Sequence, residues 1–254
     1  MRERELPRLL GDAGQAGWPV TGTECEGPVI TLDGPAGSGK STTAREVARR
    51  LGFRHLDSGA FYRALTYGLL EGGVGPERWP ALTVADLSVV GVRVEPTPEG
   101  FRILLGDRLV SDELRSPFVT EHVSRLAGLA PVREWLLGIQ RSAGQRGRLV
   151  ADGRDMGTVV FPQAEVKVFL TADLRERARR RLRERGVEDP SAAELAREGT
   201  DIAERDRRDS ERKLSPLRRP DGALVLDTTR LTFAEQVDAI LLRVAQVDGP
   251  PDPA

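Results

Sequence analysis

The chain has 254 residues, of which 39% are hydrophobic, so it can form one or two domains and bury a substantial core. Its formal net charge of −1 provides no overall basic field for nucleic acid, and no apolar run is long enough to span a membrane. The single cysteine, Cys25, excludes an intramolecular disulfide and a multi-cysteine metal site and favours a reducing compartment, so we expect a cytoplasmic protein.

The two ends of the chain differ in composition from the middle. Residues 1–27 contain no apolar segment and mix basic with acidic residues, which is typical of neither a secretory signal nor a transit peptide. We predict a disordered extension over 1–27, one domain over 28–246 and a disordered tail over 247–254. A regulatory or assembly role for the extension stays open.

The first chemical motif follows a short predicted strand at 29–32. Residues 34–41 fit the phosphate-binding pattern G-x-x-x-x-G-K-[ST], and a helix is predicted over 41–51. Lys40 can reach the β- and γ-phosphates of a nucleotide, and the hydroxyl of Ser41 can coordinate Mg²⁺. A glycine turn without a ligand is the alternative. The residues expected to bind ATP are Gly34, Pro35, Ala36, Gly37, Ser38, Gly39, Lys40, Ser41 and Thr42.

The rest of the chain alternates strands with helices, except for a region at 89–110 where apolar and polar residues alternate with a period of two. We predict an α/β fold: a five-stranded, mostly parallel sheet with helices on both faces, a small antiparallel insert and an arginine-rich lid. The further predicted strands are 53–56, 148–151, 166–170 and 224–227, and the further helices are 57–71, 117–128, 131–143, 173–185, 191–212 and 232–246.

A second cluster of charged residues ends the strand predicted at 148–151. Asp152, Arg154 and Asp155 lie where open α/β sheets place their ligands. Asp152 or Asp155 could hold the hydration shell of Mg²⁺, and Arg154 could clamp a phosphate. A solvated turn is the alternative. Neither histidine, His55 or His122, lies in a metal or nucleophile motif, so we expect both to be structural or on the surface.

The third cluster is arginine-rich. On a helix, Arg205, Arg208, Asp209 and Arg212 fall at positions i, i+3, i+4 and i+7, which share one face. This face could close on an anion, or it could be a solvated salt-bridge face, as charge runs usually are. A nucleic-acid patch is less favoured because no aromatic residue interrupts the run to stack bases.

Six stretches together resemble the bacterial cytidylate kinases, a branch of the nucleoside monophosphate kinases. They are GPAGSGKST at 34–42, LDSGAFYRA at 56–64, PVRE at 131–134, VADGRDMGTVVFP at 150–162, ERDRRDSERKLSPL at 204–217 and LDTT at 226–229. They follow the family's order between residues 28 and 246, and the 89–110 region resembles the family's β-rich insert. Residues 1–27 have no counterpart.

The resemblance implies a role for individual residues. Cytosine contacts fall on Ser58, Arg133 and Arg212, and sugar contacts fall on Ser124, Asp209 and Arg205. Arg63 and Arg154 match arginines that hold the monophosphate, with Asp155 beside them, and Tyr62 is expected to pack near the base. Arg205 and Arg208 match lid arginines that close on the transferred phosphoryl group. The expected catalytic residues are Lys40, Arg154, Asp155, Arg205 and Arg208.

The implied reaction is Mg²⁺-assisted phosphorylation of CMP and dCMP by ATP, through direct in-line transfer, in pyrimidine nucleotide metabolism. An insert at about 57–128 is expected to close over CMP and a lid at about 174–205 over ATP, which excludes water. We expect a monomer with no nucleic-acid or membrane partner. Two alternatives remain: a kinase with the same loop acting on UMP, AMP or shikimate, and a nucleotide-gated nucleic-acid-binding protein.

Overall fold

A computed structural model describes residues 27–247, so the predicted extension and tail lie outside it apart from Gly27 and Val247. In chain order the elements are β1 (Val29–Asp33), α1 (Lys40–Leu51), β2 (Arg54–Asp57), α2 (Ser58–Glu71), α3 (Val84–Ser88), β3 (Val92–Pro96), β4 (Phe101–Leu105), β5 (Arg108–Leu109), α4 (Pro117–Leu126), α5 (Ala130–Gly144), β6 (Leu149–Gly153), β7 (Val166–Thr171), α6 (Leu174–Glu184), α7 (Ala192–Glu211), β8 (Leu224–Asp227) and α8 (Phe233–Val247).

The predicted parallel sheet is confirmed. Its five strands lie in the order β2-β6-β1-β7-β8, and every neighbouring pair is parallel. β1 occupies the centre, which explains why Ile30 and Leu32 are fully buried. The carboxyl ends of β1 and β6 meet at one edge, where Asp33 pairs in register with Gly153.

Helices cover both faces of the sheet, as predicted. On one face α1 and α8 pack together, and Val47 and Ile240 join a core with β1 and β7. On the other face, helices α2, α4 and α5 bury Phe61, Leu126 and Leu136 in a larger core. Covering both faces keeps the sheet rigid and leaves its carboxyl edge as the place for a ligand.

The predicted antiparallel insert is confirmed as the three-stranded sheet β3-β4-β5. Its third strand has only two residues, Arg108 and Leu109. The turn between β3 and β4 rests on the edge strand of the main sheet, where the backbone N–H of His55 donates to Glu99 O at 2.9 Å. A Cβ at Gly100 would lie 2.5 Å from His55 O, so only glycine permits this approach.

The arginine-rich segment forms a helical hairpin of α6 and α7. Asp173 caps the first helix, and Ser191 with Glu194 forms a capping box at the start of the second. Across the hairpin, Glu198 accepts ion pairs from Arg181 and Arg185. Helix α7 continues without a break to Glu211, so the lid boundary predicted at 205 falls inside a helix.

Candidate active site

The loop between β1 and α1 has the geometry of a phosphate cradle. Gly37 and Gly39 have φ of 73° and 87°, a left-handed conformation that turns successive N–H groups inward. A Cβ at Gly34 would lie 2.1 Å from Leu170 O, so glycine is required there as well. Helix α1 begins at Lys40, and its N-terminus points its dipole at the loop.

Lys40 lies inside the loop and is only 5% exposed. Its Nζ donates to Pro35 O at 2.6 Å and lies 3.3 Å from Ser38 Oγ. Burial, assisted by the charges of Arg154 and Arg205, lowers the pKa of Lys40 well below its ordinary value. The negative charge of a bound phosphate would favour the charged form of Lys40 and oppose this shift.

A candidate magnesium site adjoins the loop. Ser41 Oγ donates to Asp152 Oδ2 at 2.6 Å, and His55 Nε2 lies 2.8 Å from Asp152 Oδ1. Burial would raise the pKa of Asp152, but the hydrogen bonds from His55 and Ser41 and the charge of Lys40 outweigh it and lower the pKa. An ionised carboxylate beside a hydroxyl is a donor set that fits Mg²⁺, which takes oxygen ligands and keeps several waters.

Next to the loop lies a cluster of half-buried arginines, which are Arg63, Arg154, Arg181 and Arg205. Burial and the charges of Arg154, Arg63 and Arg181 lower the pKa of Arg205 to about 9, against the opposing charge of Asp209. Burial likewise lowers the pKa of Arg63 to about 10, with Arg181 and Arg154 among the contributing charges. Within residues 27–247 the Nε of Arg205 has no hydrogen-bond partner. Mutually repelling cations together with this buried donor are features that favour anion binding.

A cavity of about 260 Å³ lies between α2, α5 and the segment after β6, lined by Tyr62, Arg133 and Asp155 among others. The guanidinium of Arg133 lies 5.5 Å from the ring centroid of Tyr62, and its Nη2 donates to the carboxylate of Asp155. In the structurally described part of the chain, Arg133 Nε and Arg212 Nη2 are buried donors without partners. The cavity therefore offers an aromatic face and the Nε donor of Arg133 to a polar ligand.

Of the other predicted contact residues, Asp209 bonds to the arginine cluster and to Ser124, and Ser58 lies beside the end of β6. Asp209 accepts from Ser124 Oγ and from Arg154 Nε, both at 3.0 Å, and its carboxylate therefore joins α4, α7 and the end of β6. Ser58 begins α2 and is 3% exposed; its Oγ would lie 2.5 Å from a Cβ at Gly153, so the hydroxyl lies against the end of β6.

Arg208 is not part of this assembly. Its side chain is 42% exposed and pairs with Glu204 at 3.3 Å, four residues earlier on α7. Helix α7 contains Arg205, Arg208 and Asp209 at the predicted spacing, but the local pair with Glu204 holds the Arg208 side chain on the solvent side. A role in phosphoryl transfer is thus unsupported by its placement and stays a prediction.

Several charged residues of the site were missed by sequence reasoning. Asp33 is fully buried and accepts from the backbone N–H groups of Met156 and Gly157 at 2.8 and 2.7 Å. Its position at the end of a strand is the signal that singled out Asp152, and it could have been read the same way. Asp206 and Arg177 contact the loop, but nothing in their local pattern indicated it.

Comparison with known proteins identifies the family. The family model described as Cytidylate kinase matches residues 30–246. The chain belongs to the cytidylate kinase family. A cytidylate kinase of Salinibacter ruber is 46% identical over 87% of this chain and 98% of its own length, and that of Exiguobacterium sibiricum is 46% identical over 85% and 96%.

The family also includes longer relatives. A bifunctional pantoate ligase/cytidylate kinase of Synechocystis sp. is 46% identical over 84% of this chain, which spans only 42% of that protein. Among solved structures, a shikimate kinase from Acinetobacter baumannii superposes with a TM-score of 0.45 at 17% identity and covers 89% of this chain and 97% of its own. The resemblance drawn from the sequence motifs is confirmed by the family match.

Proposed function

We propose that this member of the cytidylate kinase family transfers the γ-phosphoryl group of ATP to CMP or dCMP and forms CDP or dCDP, in pyrimidine nucleotide metabolism. The observation that carries the proposal is that Arg154 joins two sites. Its charge lowers the pKa of Lys40 in the phosphate loop, and its Nε donates to Asp209, which also accepts from Ser124 on α4. A guanidinium placed between these two sites would contact the phosphates of both nucleotides.

The donor nucleotide is ATP in this proposal. The N–H groups of the 34–42 loop would hold its phosphates, with Lys40 at the β- and γ-phosphates. Ser41, with Asp152 behind it, would hold Mg²⁺. When bound, the ion neutralises charge that develops on the phosphates during transfer.

The acceptor would occupy the cavity beside Tyr62. Arg212 and Arg133 offer their unpartnered buried donors to the base, and Ser58 adds a hydroxyl on the side of β6. Asp209, held by Ser124, would accept from the sugar hydroxyls, with Arg205 beside it. Asp155 is engaged by Arg133, so its role would be to orient that arginine.

The transfer step needs charge neutralisation more than a base. The attacking atom is an oxygen of the CMP phosphate, whose second pKa of about 6 leaves it largely deprotonated at neutral pH. Arg63, Arg154 and Arg205 would surround the position where the transferred group passes, since the charge of Arg154 contributes to the lowered pKa of both Arg63 and Arg205. Fixed cations of this kind stabilise the transition state without reorganisation.

The protein is further proposed to be a cytoplasmic monomer without a nucleic-acid partner. The four most exposed large hydrophobic residues, Val89, Leu242, Leu109 and Phe118, lie on or beside different elements, as single surface residues do in monomers. Many arginines of α6 and α7 are ion-paired within the hairpin, which leaves less charge for phosphates of a polynucleotide. No helix within residues 27–247 is long and apolar enough to cross a membrane.

A substrate panel tests the proposed function. Purified protein is supplied with ATP, Mg²⁺ and one of CMP, dCMP, UMP, AMP or shikimate, and ADP formation is followed by a coupled assay. We expect kcat/KM for CMP or dCMP to exceed that for the other acceptors by about 100-fold or more, because buried donors reject a mismatched base edge. A preference for AMP or shikimate, or no transfer to CMP, would contradict the proposal.

A further inference from the structure

The backbone N–H and C=O groups of Ala36, the residue that we call the loop crest, both hydrogen-bond to the helical hairpin. The N–H of Ala36 donates to Asp206 Oδ1 at 2.8 Å, and Arg177 Nη1 donates to Ala36 O at 3.0 Å. Arg177 also donates to the second oxygen of Asp206 and, through Nε, to Ala172 O. The ion pair between Arg177 on α6 and Asp206 on α7 therefore provides hydrogen-bond partners for both backbone groups of Ala36.

Packing makes this contact tight. Ala36 is buried in an apolar cluster with Ala178, Leu182 and Ile202, which come from the two helices of the hairpin. A Cβ at Gly37 would lie 3.0 Å from Arg177 O and 3.1 Å from Arg177 Cβ, so the loop backbone runs directly against α6. A displacement of either helix would thus be transmitted to the loop.

The charges of the pair allow the contact to persist when a nucleotide is present. A lone carboxylate at the loop would repel the phosphates of ATP, but Arg177 neutralises Asp206. The side chains are 11% and 16% exposed, so the two charges interact with little screening by water. The contact does not have to break for an anion to enter.

The ion pair also fixes the position of Arg205, the residue next to Asp206 in the chain. Arg205 precedes it on α7 and points about 100° away around the helix, toward the half-buried arginine cluster. Anchoring Asp206 on Ala36 therefore sets the distance between the guanidinium of Arg205 and the loop that carries Lys40. The charge of Arg205 already contributes to the lowered pKa of Lys40.

We propose that Arg177 and Asp206 are positioning residues for phosphoryl transfer: they lock the loop crest at Ala36 to the α6–α7 hairpin, so that Arg205 and Lys40 face the same phosphate. The inference rests on the proposed kinase activity. Neither residue touches the transferred group. Their loss would misplace catalytic cations by a fraction of an ångström to an ångström, which reduces the transfer rate more than nucleotide binding.

The experiment compares Asp206→Ala, Asp206→Asn and Arg177→Met with Glu204→Gln, a matched control. Glu204 lies on the same helix and also forms ion pairs, but on the exposed face with Arg207 and Arg208. We expect Asp206→Ala and Arg177→Met to lower kcat about 10- to 100-fold, with KM for CMP within about threefold of the parent value. Asp206→Asn keeps an acceptor for the Ala36 N–H and should lose less, whereas Glu204→Gln should be unchanged.

The double variant Asp206→Ala/Arg177→Met provides a readout that a purely structural role would not give. If the two residues act as one device, its kcat should match that of the worse single variant, because the second change removes nothing further. If Asp206→Ala does not fold, Asp206→Asn and Arg177→Lys carry the same comparison, and both should lower kcat in protein whose melting temperature lies well above the assay temperature.

Two outcomes would overturn the inference. One is a kcat for Asp206→Ala within twofold of the parent in a folded protein, and the other is a fall in kcat that merely follows the folded fraction. Both presuppose that the parent phosphorylates CMP. An inactive parent instead overturns the proposed function, so the two failures are distinguishable.

Discussion

Lys40 Nζ donates a hydrogen bond of 2.6 Å to the carbonyl oxygen of Pro35, so the lysine closes the loop on itself before any phosphate arrives. We predict that Lys40→Met lowers kcat by about 10²–10³ or more, since an oriented cation facing the transition state is removed. The fold should survive, because methionine suits a buried site and avoids burying a charge. A steady-state assay with a melting curve checks both points.

Lys167 is the matched control for this change. Its Nζ donates to Pro162 O, also at 2.6 Å and also five residues earlier in the chain, but at an exposed position. Lys167→Met should retain the parent kcat. Near-normal turnover in a folded Lys40→Met protein would be incompatible with a kinase that uses this loop.

Base selection is predicted to depend on Arg212, whose side chain is 8% exposed and whose Nη2 is an unpartnered buried donor among residues 27–247. Arginine has donors only, so it can serve N3 or O2 of cytosine but cannot accept from the N3–H of uracil. We expect Arg212→Met to lower kcat/KM for CMP at least about tenfold, or roughly 1.4 kcal/mol. KM for ATP should change little, and the preference for CMP over UMP should shrink.

Arg207→Met serves as the control for Arg212, since Arg207 lies on the exposed face of α7 in ion pairs with Glu204 and Glu211. It should leave both acceptor preferences unchanged. Equal weakening of CMP and UMP by Arg212→Met would instead assign Arg212 to the phosphate or sugar, and the base-reading role would be wrong.

Closure over the two substrates is predicted to be additive. Arg93 on β3 and Glu188 in the link between α6 and α7 are both exposed and can be replaced by cysteine for fluorescent labels, in a chain whose single cysteine, Cys25, is changed to serine. We expect CMP with a non-hydrolysable ATP analogue to shorten the label separation more than either ligand alone. The reason is that the insert is expected to close on CMP and the lid on ATP, as two separate flaps. Equal separations with one ligand and with two would argue against two flaps.

Asp33 gives a prediction for stability against pH. Burial raises the pKa of Asp33 from 3.8 to about 7, although the N–H groups of Gly157 and Met156 oppose the shift. The folded state therefore binds a proton between these values that the unfolded state has released, so this group's contribution to stability falls as pH rises from about 4 to 7. The difference in unfolding free energy between parent and Asp33→Asn should show this slope.

The absolute stability of Asp33→Asn should also be lower, because the amide nitrogen would face one of the two backbone N–H donors. Asp107→Asn is the control, because Asp107 is almost fully exposed and forms an ion pair with Arg93. It should show no such slope. A difference curve for Asp33→Asn that is flat from pH 4 to 7 would show that the carboxyl ionises normally in the fold.

Local patterns predicted the elements well, and contacts between distant segments account for what they missed. The strands at 29–33 and 224–227 are short apolar runs bounded by turn residues, and the structure places them within a residue of expectation. The role of Asp206 depends on Ala36, far away in the chain, so no spacing could reveal it. For Arg208, helix periodicity predicted the position on the helix correctly. The direction of its side chain depends on an ion pair with Glu204, which the periodicity does not describe.

The position of β1 at the centre of the sheet affects how the protein is made. Val29 pairs with Leu149 on one side, and Ile30 pairs with Val166 on the other, so both partner strands leave the ribosome long after β1. The insert sheet pairs neighbours, such as Val92 with Leu105, and its short-range contacts close quickly. During synthesis the insert can therefore fold before the core that carries it. The apolar β1 stays unpaired until its partner strands emerge, so it is a segment that a chaperone would protect.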